Sequence, residues 1–273
     1  MPDMPLTIGA ALRLEDLPTH RDWLFGAERD VELQDFHAPE VLTSDWRPLA
    51  ERARKELDGL PGRLGIHGPF WGLSLANPDP DMRAIVTQRM MTGLEICETV
   101  GADQMVIHSP YTTWDFNNLP NYPGAGASVV ESVHGTLREV VARAESQGVT
   151  LVIENIQDID PNARVELARS FGSDAVRVSI DTGHAAYAHG STGAPPVDYY
   201  VHAAGEMLHH VHLQDADGYA DRHWAIGEGV IPWPAVFRAL ARLSSNPRLL
   251  LELRDKAGIP TSFAYLRDLG LAR

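Results

Sequence analysis

Eight short apolar runs, each followed by a loop and a segment of helical periodicity, divide the chain into repeated β-α units, which restricts the fold to a parallel sheet wrapped in helices. The runs are Leu6–Ala10, Asp30–Gln34, Arg63–His67, Gln104–His108, Thr150–Glu154, Val176–Asp181, His209–Leu213 and Leu249–Glu252. Helices are predicted over Pro80–Val100, Ser128–Gln147 and Pro232–Ser244, with Gly101 and Gly148 as C-terminal stops and Pro234 in a first turn. Eight parallel strands of this length close into a barrel. An open doubly wound sheet would usually carry a Gly-rich phosphate loop after its first strand, and none follows Ile8-Gly9-Ala10. The predicted fold is a (β/α)8 TIM barrel forming one domain over residues 1–273. The Pro/Gly/Asn-rich stretch Thr112–Gly126 is too long for an ordinary βα connection and is expected to fold over the barrel mouth.

Composition narrows the function classes. The formal net charge is -14, only Lys55 and Lys256 are lysines, and no basic run lies near the predicted mouth, all of which disfavours a nucleic-acid-binding face. The longest apolar runs, such as Leu249–Leu251, are strand-sized, and no basic leader followed by an apolar stretch opens the sequence, so a soluble, cytoplasmic protein is expected, without a membrane partner. The single cysteine, Cys97, excludes an internal disulfide and a Cys-rich metal knuckle, and its helical context assigns it to packing.

Six of the eight runs end on a residue able to bind metal: His67, His108, Glu154, Asp181, His212 and Glu252. Taken singly, each has an ordinary reading as a hydrogen-bonded rim residue. A barrel, however, gathers the C-terminal ends of all its strands on one face, and imidazole and carboxylate are the ligands that Zn2+, Mn2+ or Co2+ take. Six such groups converging there without a cation would suffer desolvation and mutual repulsion. Two local motifs extend the set: Asp181-Thr182-Gly183-His184, and Asp221-Arg222-His223 followed by Gly227-Glu228-Gly229. Asp221 and His223 also fit a solvated loop pair, and His209 and His210 are assigned to packing or surface.

The strings His67-Gly68-Pro69-Phe70, Ile153-Glu154-Asn155, Ile180-Asp181-Thr182-Gly183-His184, His212-Leu213-Gln214-Asp215 and Asp221-Arg222-His223 resemble the xylose isomerase-like TIM-barrel superfamily, which includes sugar isomerases, epimerases and endonuclease IV. The resemblance runs along essentially the whole chain and implies a divalent metal, one to three ions per chain. In the ketose 3-epimerase branch it implies one ion held by Glu154, Asp181, His212 and Glu252, with the two glutamates also moving the proton. In the endonuclease IV branch it implies three zinc ions on nine residues: His67, His108, Glu154, Asp181, His184, His212, Asp221, His223 and Glu252. Three Zn2+ against four carboxylates would leave the pocket at about +2, suited to a phosphate, and one ion would leave it near -2, suited to a neutral polyol.

The leading expectation is proton transfer next to a carbonyl, which isomerises or epimerises a small carbohydrate. Glu154 or Glu252 takes the proton and the other returns it, while His184 holds a substrate hydroxyl or a second ion. Glu32, His67, Phe70, Trp71 and His108 are candidate substrate contacts, and Glu32 fits a structural salt bridge equally well. Phe70 and Trp71 fit a sugar pocket better than a wedge into duplex DNA. His37 is a further residue near the mouth of the second strand. A lyase, either a dehydratase or a decarboxylase, would share the same enolate chemistry. The alternative from another class is phosphodiester hydrolysis with Arg222 near the phosphate, and a third reading is a non-catalytic sugar-binding barrel. Barrels of this type often form dimers or tetramers, but no sequence feature marks an interface.

Overall fold

The computed structural model describes residues 6–273. Its strands are β1 (Gly9–Leu12), β2 (Val31–Leu33), β3 (Leu64–His67), β4 (Gln104–His108), β5 (Thr150–Glu154), β6 (Val176–Asp181), β7 (Leu208–Leu213) and β8 (Arg248–Leu251). Each pairs in parallel with the next, and β8 returns to β1, so the predicted barrel closes. Ile66, Ile107, Ile153, Val178, Ile180, Val211 and Leu251 are fully buried, each contributing about 1.5–3 kcal/mol of apolar burial. No helix among the described residues is long and apolar enough to cross a membrane.

Several predicted boundaries move. β1 lies at Gly9–Leu12 rather than Leu6–Ala10, while Leu6 forms only an isolated bridge to Ala272. The small residues that hid this strand are needed there, because a Cβ on Gly9 would fall 1.9 Å from the Asp30 carbonyl oxygen. β8 stops at Leu251, but the Glu252 backbone N–H still donates to the Leu213 carbonyl at 3.0 Å, which keeps Glu252 at the strand end. The stretch 112–126 is no open loop. Thr112 and Asp115 form a reciprocal capping box that starts the helix Thr113–Asn118, and a second helix, Ala125–Gln147, begins before the predicted Ser128. None of its residues lines the cavity at the mouth.

The helix Pro80–Val100 has its predicted bounds. The Asp79 side chain accepts from the Asp81 N–H at 2.9 Å, Pro80 fits the first turn, and Gly101 closes the helix at φ 83°. The helix Trp233–Leu240 is shorter than predicted.

Candidate metal centre

Parallel register sets the first pairs of site residues side by side: His108 is level with Glu154, and Asp181 with His212. Asn155 ties the ends of β5 and β6 together. Its Oδ1 accepts from the Asp181 N–H at 2.8 Å, and its Nδ2 donates to the Asp181 carbonyl at 3.1 Å. The helix Thr182–Thr192 starts directly after β6, with Asp181 as its N-cap accepting from the His184 N–H at 2.7 Å, so the Asp-x-x-His spacing brings His184 back beside its own carboxylate.

Backbone carbonyls orient three of the histidines. The Nδ1 atoms of His67, His184 and His223 face the carbonyls of Gly68, Asn155 and Glu252 at 3.0, 2.9 and 3.0 Å. A carbonyl only accepts, so each Nδ1 carries a proton and each Nε2 is turned toward a carboxylate. His67 Nε2 lies 3.8 Å from Glu154, His184 Nε2 3.4 Å from Asp221, and His223 Nε2 3.1 Å from Asp221. His212 is reversed: Nδ1 faces Glu154 at 2.6 Å and Glu252 at 3.4 Å.

The nine candidate ligands fall into three groups, within each of which the ligand atoms lie within 4.8 Å of one another: His67, His108 and Glu154; His184, Asp221 and His223; and Glu154, Asp181, His212 and Glu252. Glu154 belongs to two of them. Its Oε1 faces His212 and its Oε2 faces His108 at 3.5 Å and His67.

Burial and crowded carboxylates together shift the titration of these groups. Burial, opposed by His184 and reinforced by Glu252 and Glu154, raises Asp181 to about 6. Burial also works against charge on His184, His212 and His223. Their carboxylate neighbours outweigh it, raising the first two well above the usual histidine value and His223 to about 9. The clustered carboxylates favour positive charge among these residues, and the mixed nitrogen and oxygen donors suit zinc, manganese or cobalt. The donor set fits a metal.

Above the groups opens a cavity of about 700 Å3. Phe70 lies on one wall, stacked on the His108 ring at 4.1 Å and on Trp71 at 5.2 Å. Trp71 is 57% exposed. Arg13, Arg254 and Lys256 also line the cavity, so cations that form no run in sequence meet at the mouth. Another cavity, of about 440 Å3 near Asp30 and Arg63, has none of the candidate ligands in its lining.

A family model described as a xylose isomerase-like TIM barrel matches residues 29–269. The chain belongs to that family. Among relatives of this xylose isomerase-like barrel is an uncharacterized Methanocaldococcus jannaschii protein, MJ1311, 24% identical over 233 residues, covering 81% of this chain and 76% of that one. A similar solved structure is the TTHB071 protein from Thermus thermophilus, obtained from a crystal soaked with ZnCl2. It is 28% identical, has a TM-score of 0.74, and the match covers 98% of this chain and 100% of that one. A D-tagatose 3-epimerase-like protein shares the fold at 20% identity and TM-score 0.76, with 96% of each chain covered.

Four sequence candidates lie outside the cavity of this xylose isomerase-like barrel. Arg222 is held by Asp217 at 2.7 Å and packs over Trp224. Glu32, by sequence a substrate contact or a structural salt bridge, is 1% exposed beneath the ligands, because β2–β3 pairing sets it level with Gly65, two residues before His67. Asp181 and His212 are likewise fully buried below the cavity floor.

Sequence reasoning gave no site role to Gln34, Gln214, His210 or Lys256. Gln34 donates to Glu252 and accepts from Lys256 Nζ at 3.2 Å. Gln214 Nε2 lies 3.1 Å from Asp181 and 2.9 Å from Asp221, while its Oε1 accepts from the His223 N–H at 2.6 Å. Gln34 and Gln214 follow Glu32 and His212 by two positions, the strand period, which was the available signal. Gly183 makes room for this hub, since a Cβ there would meet the Gln214 side chain at 2.3 Å. Gly183→Ala is expected to destabilise the protein by about 1–3 kcal/mol through overpacking, seen as an earlier thermal unfolding midpoint, and to weaken zinc binding in a chelator competition.

Proposed function

We propose that this chain holds divalent ions at all three ligand groups and hydrolyses a phosphate ester of a small carbohydrate. The carrying observation is Glu154, whose two oxygens face two different groups. A carboxylate with a separate ligand group facing each oxygen would help to hold two ions, whereas a base must keep one oxygen free for a proton. Glu154, Asp181, His212 and Glu252 would hold one ion; His67 and His108, with Glu154, a second; and His184, Asp221 and His223 a third. When bound, zinc ions supply Lewis acidity toward phosphoryl oxygens and a water acidified at neutral pH.

The chain's own residues bind and orient the substrate. Lys256, Arg13 and Arg254 favour an anion at the cavity, and Trp71 and Phe70 offer a flat apolar wall for a sugar ring. Lys256 is held by Gln34 beside the metal centre, with its pKa lowered by burial although Glu252 counters this. The net charge of -14 and the small number of cations at the mouth favour a small molecule over DNA.

Isomerisation or epimerisation of a small carbohydrate is the second reading, favoured by Glu252, which lines the cavity while also lying beside His212. There, one ion at the four-residue group suffices, Glu252 and Glu154 move the proton, and His184 holds a hydroxyl. A lyase would use the same groups. The deciding assay incubates zinc-loaded protein with sugar phosphates, phosphodiesters, abasic DNA and free ketoses and aldoses. Release of phosphate from small esters is expected. A rearranged sugar with its phosphate intact would replace hydrolysis with the second reading.

A further inference from the structure

Below the metal centre, buried polar groups from four strands touch in sequence across the barrel interior. Ser179 Oγ meets His210 Nδ1 at 2.7 Å. His210 Nε2 comes 3.1 Å from Glu32 Oε2, an ion-pair contact out of line for a hydrogen bond. Glu32 Oε1 accepts from His212 Nε2 at 2.9 Å, and His212 Nδ1 faces Glu154 Oε1 at 2.6 Å. All five residues are at most 1% exposed.

A carboxylate in such a place needs a reason, because replacing buried ionic groups with well-packed apolar ones is often neutral or stabilising. His212 supplies it. His67, His184 and His223 are oriented by neutral backbone carbonyls, whereas His212 alone among these four has its far nitrogen against a full carboxylate charge. A carboxylate behind a ligating imidazole fixes the tautomer, holds the ring plane and makes the ligand more basic.

We propose that Glu32, backed by His210 and Ser179, is a positioning residue for the metal centre, holding His212 with Nδ1 toward the group of Glu154, Asp181 and Glu252. This rests on the metal reading above and concerns how one ion is held. A metal ion held there would take the place of the proton on Nδ1, which would pass to solvent, while the Nε2 proton would stay in the bond to Glu32.

The test is a zinc titration of the full chain against a competing chelator, with wild type, Glu32→Gln, Glu32→Ala and Ser179→Ala compared, and folding of each checked by circular dichroism. One zinc is expected to bind about 10-fold more weakly in Glu32→Gln, which keeps an acceptor, and about 100-fold more weakly in Glu32→Ala. Ser179→Ala is expected to change affinity less than either. Nitrogen-15 spectra of zinc-loaded wild type should show a histidine ligated through Nδ1 that retains its Nε2 proton, and a purely structural role for Glu32 would leave that signature unchanged in Glu32→Gln. If Glu32→Ala does not fold, Glu32→Gln decides. Wild-type affinity for every zinc in folded Glu32→Gln, with the signature unchanged, overturns the inference while leaving the metal reading intact. A wild-type protein that binds no zinc overturns both.

Discussion

Glu154→Gln is expected to leave the barrel folded but to reduce zinc from three ions to one. An amide lacks the second anionic oxygen needed to serve both the His67–His108 group and the His212 group. The group of His184, Asp221 and His223 does not use Glu154 and should keep its ion. Turnover should fall by about 10^3-fold or more, the equivalent of several kcal/mol of lost charge stabilisation. Elemental analysis and a rate measurement on the same preparation check this. Glu154→Gln with metal content intact and turnover abolished would point to proton transfer, where Glu154 acts as acid or base. Full turnover with normal metal in both Glu154→Gln and Glu252→Gln would remove the proton-transfer reading.

Asp158→Ala is expected to produce the largest loss of stability. Asp158 pairs with Arg164 at 3.1 Å, and both side chains are essentially inaccessible. Its carboxylate also accepts from Ser109 Oγ at 2.9 Å and from the Ile156 N–H at 3.1 Å, pinning the segment that follows β5 behind Glu154. Burial nevertheless raises the Asp158 pKa despite Arg164. Removing the carboxylate strands a buried guanidinium, which costs about 3–5 kcal/mol and should lower the thermal midpoint by on the order of 10 °C. Calorimetry measures it. Asp158→Ala combined with Arg164→Leu should recover part of the loss, because the uncompensated charge is then gone.

The upper layer of the site was legible because a barrel carries strand-end residues to one face whatever its detailed register. His67, His108 and Glu154 needed only that rule, together with apolar runs that stop at them. The layer beneath was not, because depth depends on the stagger between neighbouring strands. Glu32 reads from sequence as a substrate contact or a structural salt bridge, yet pairing of Leu33 with Ile66 places Gln34, not Glu32, at the height of His67. His210 was assigned to packing or surface although it lies two residues before His212 and shares its inward face. A register shift at Val178/Ser179, which sets Ser179 level with His210, has no local sequence mark. Lys256, Arg13 and Arg254 escaped notice because their meeting is a property of loop paths, not of composition.

The three metal sites proposed on the nine residues are tested most directly by the metal content of protein purified without added metal or chelator, for wild type and for Asp221→Ala combined with His223→Ala. Three zinc ions per chain in wild type and two in the double variant are predicted. One ion per chain in both would contradict the claim and leave the four-residue group of Glu154, Asp181, His212 and Glu252 as the whole centre.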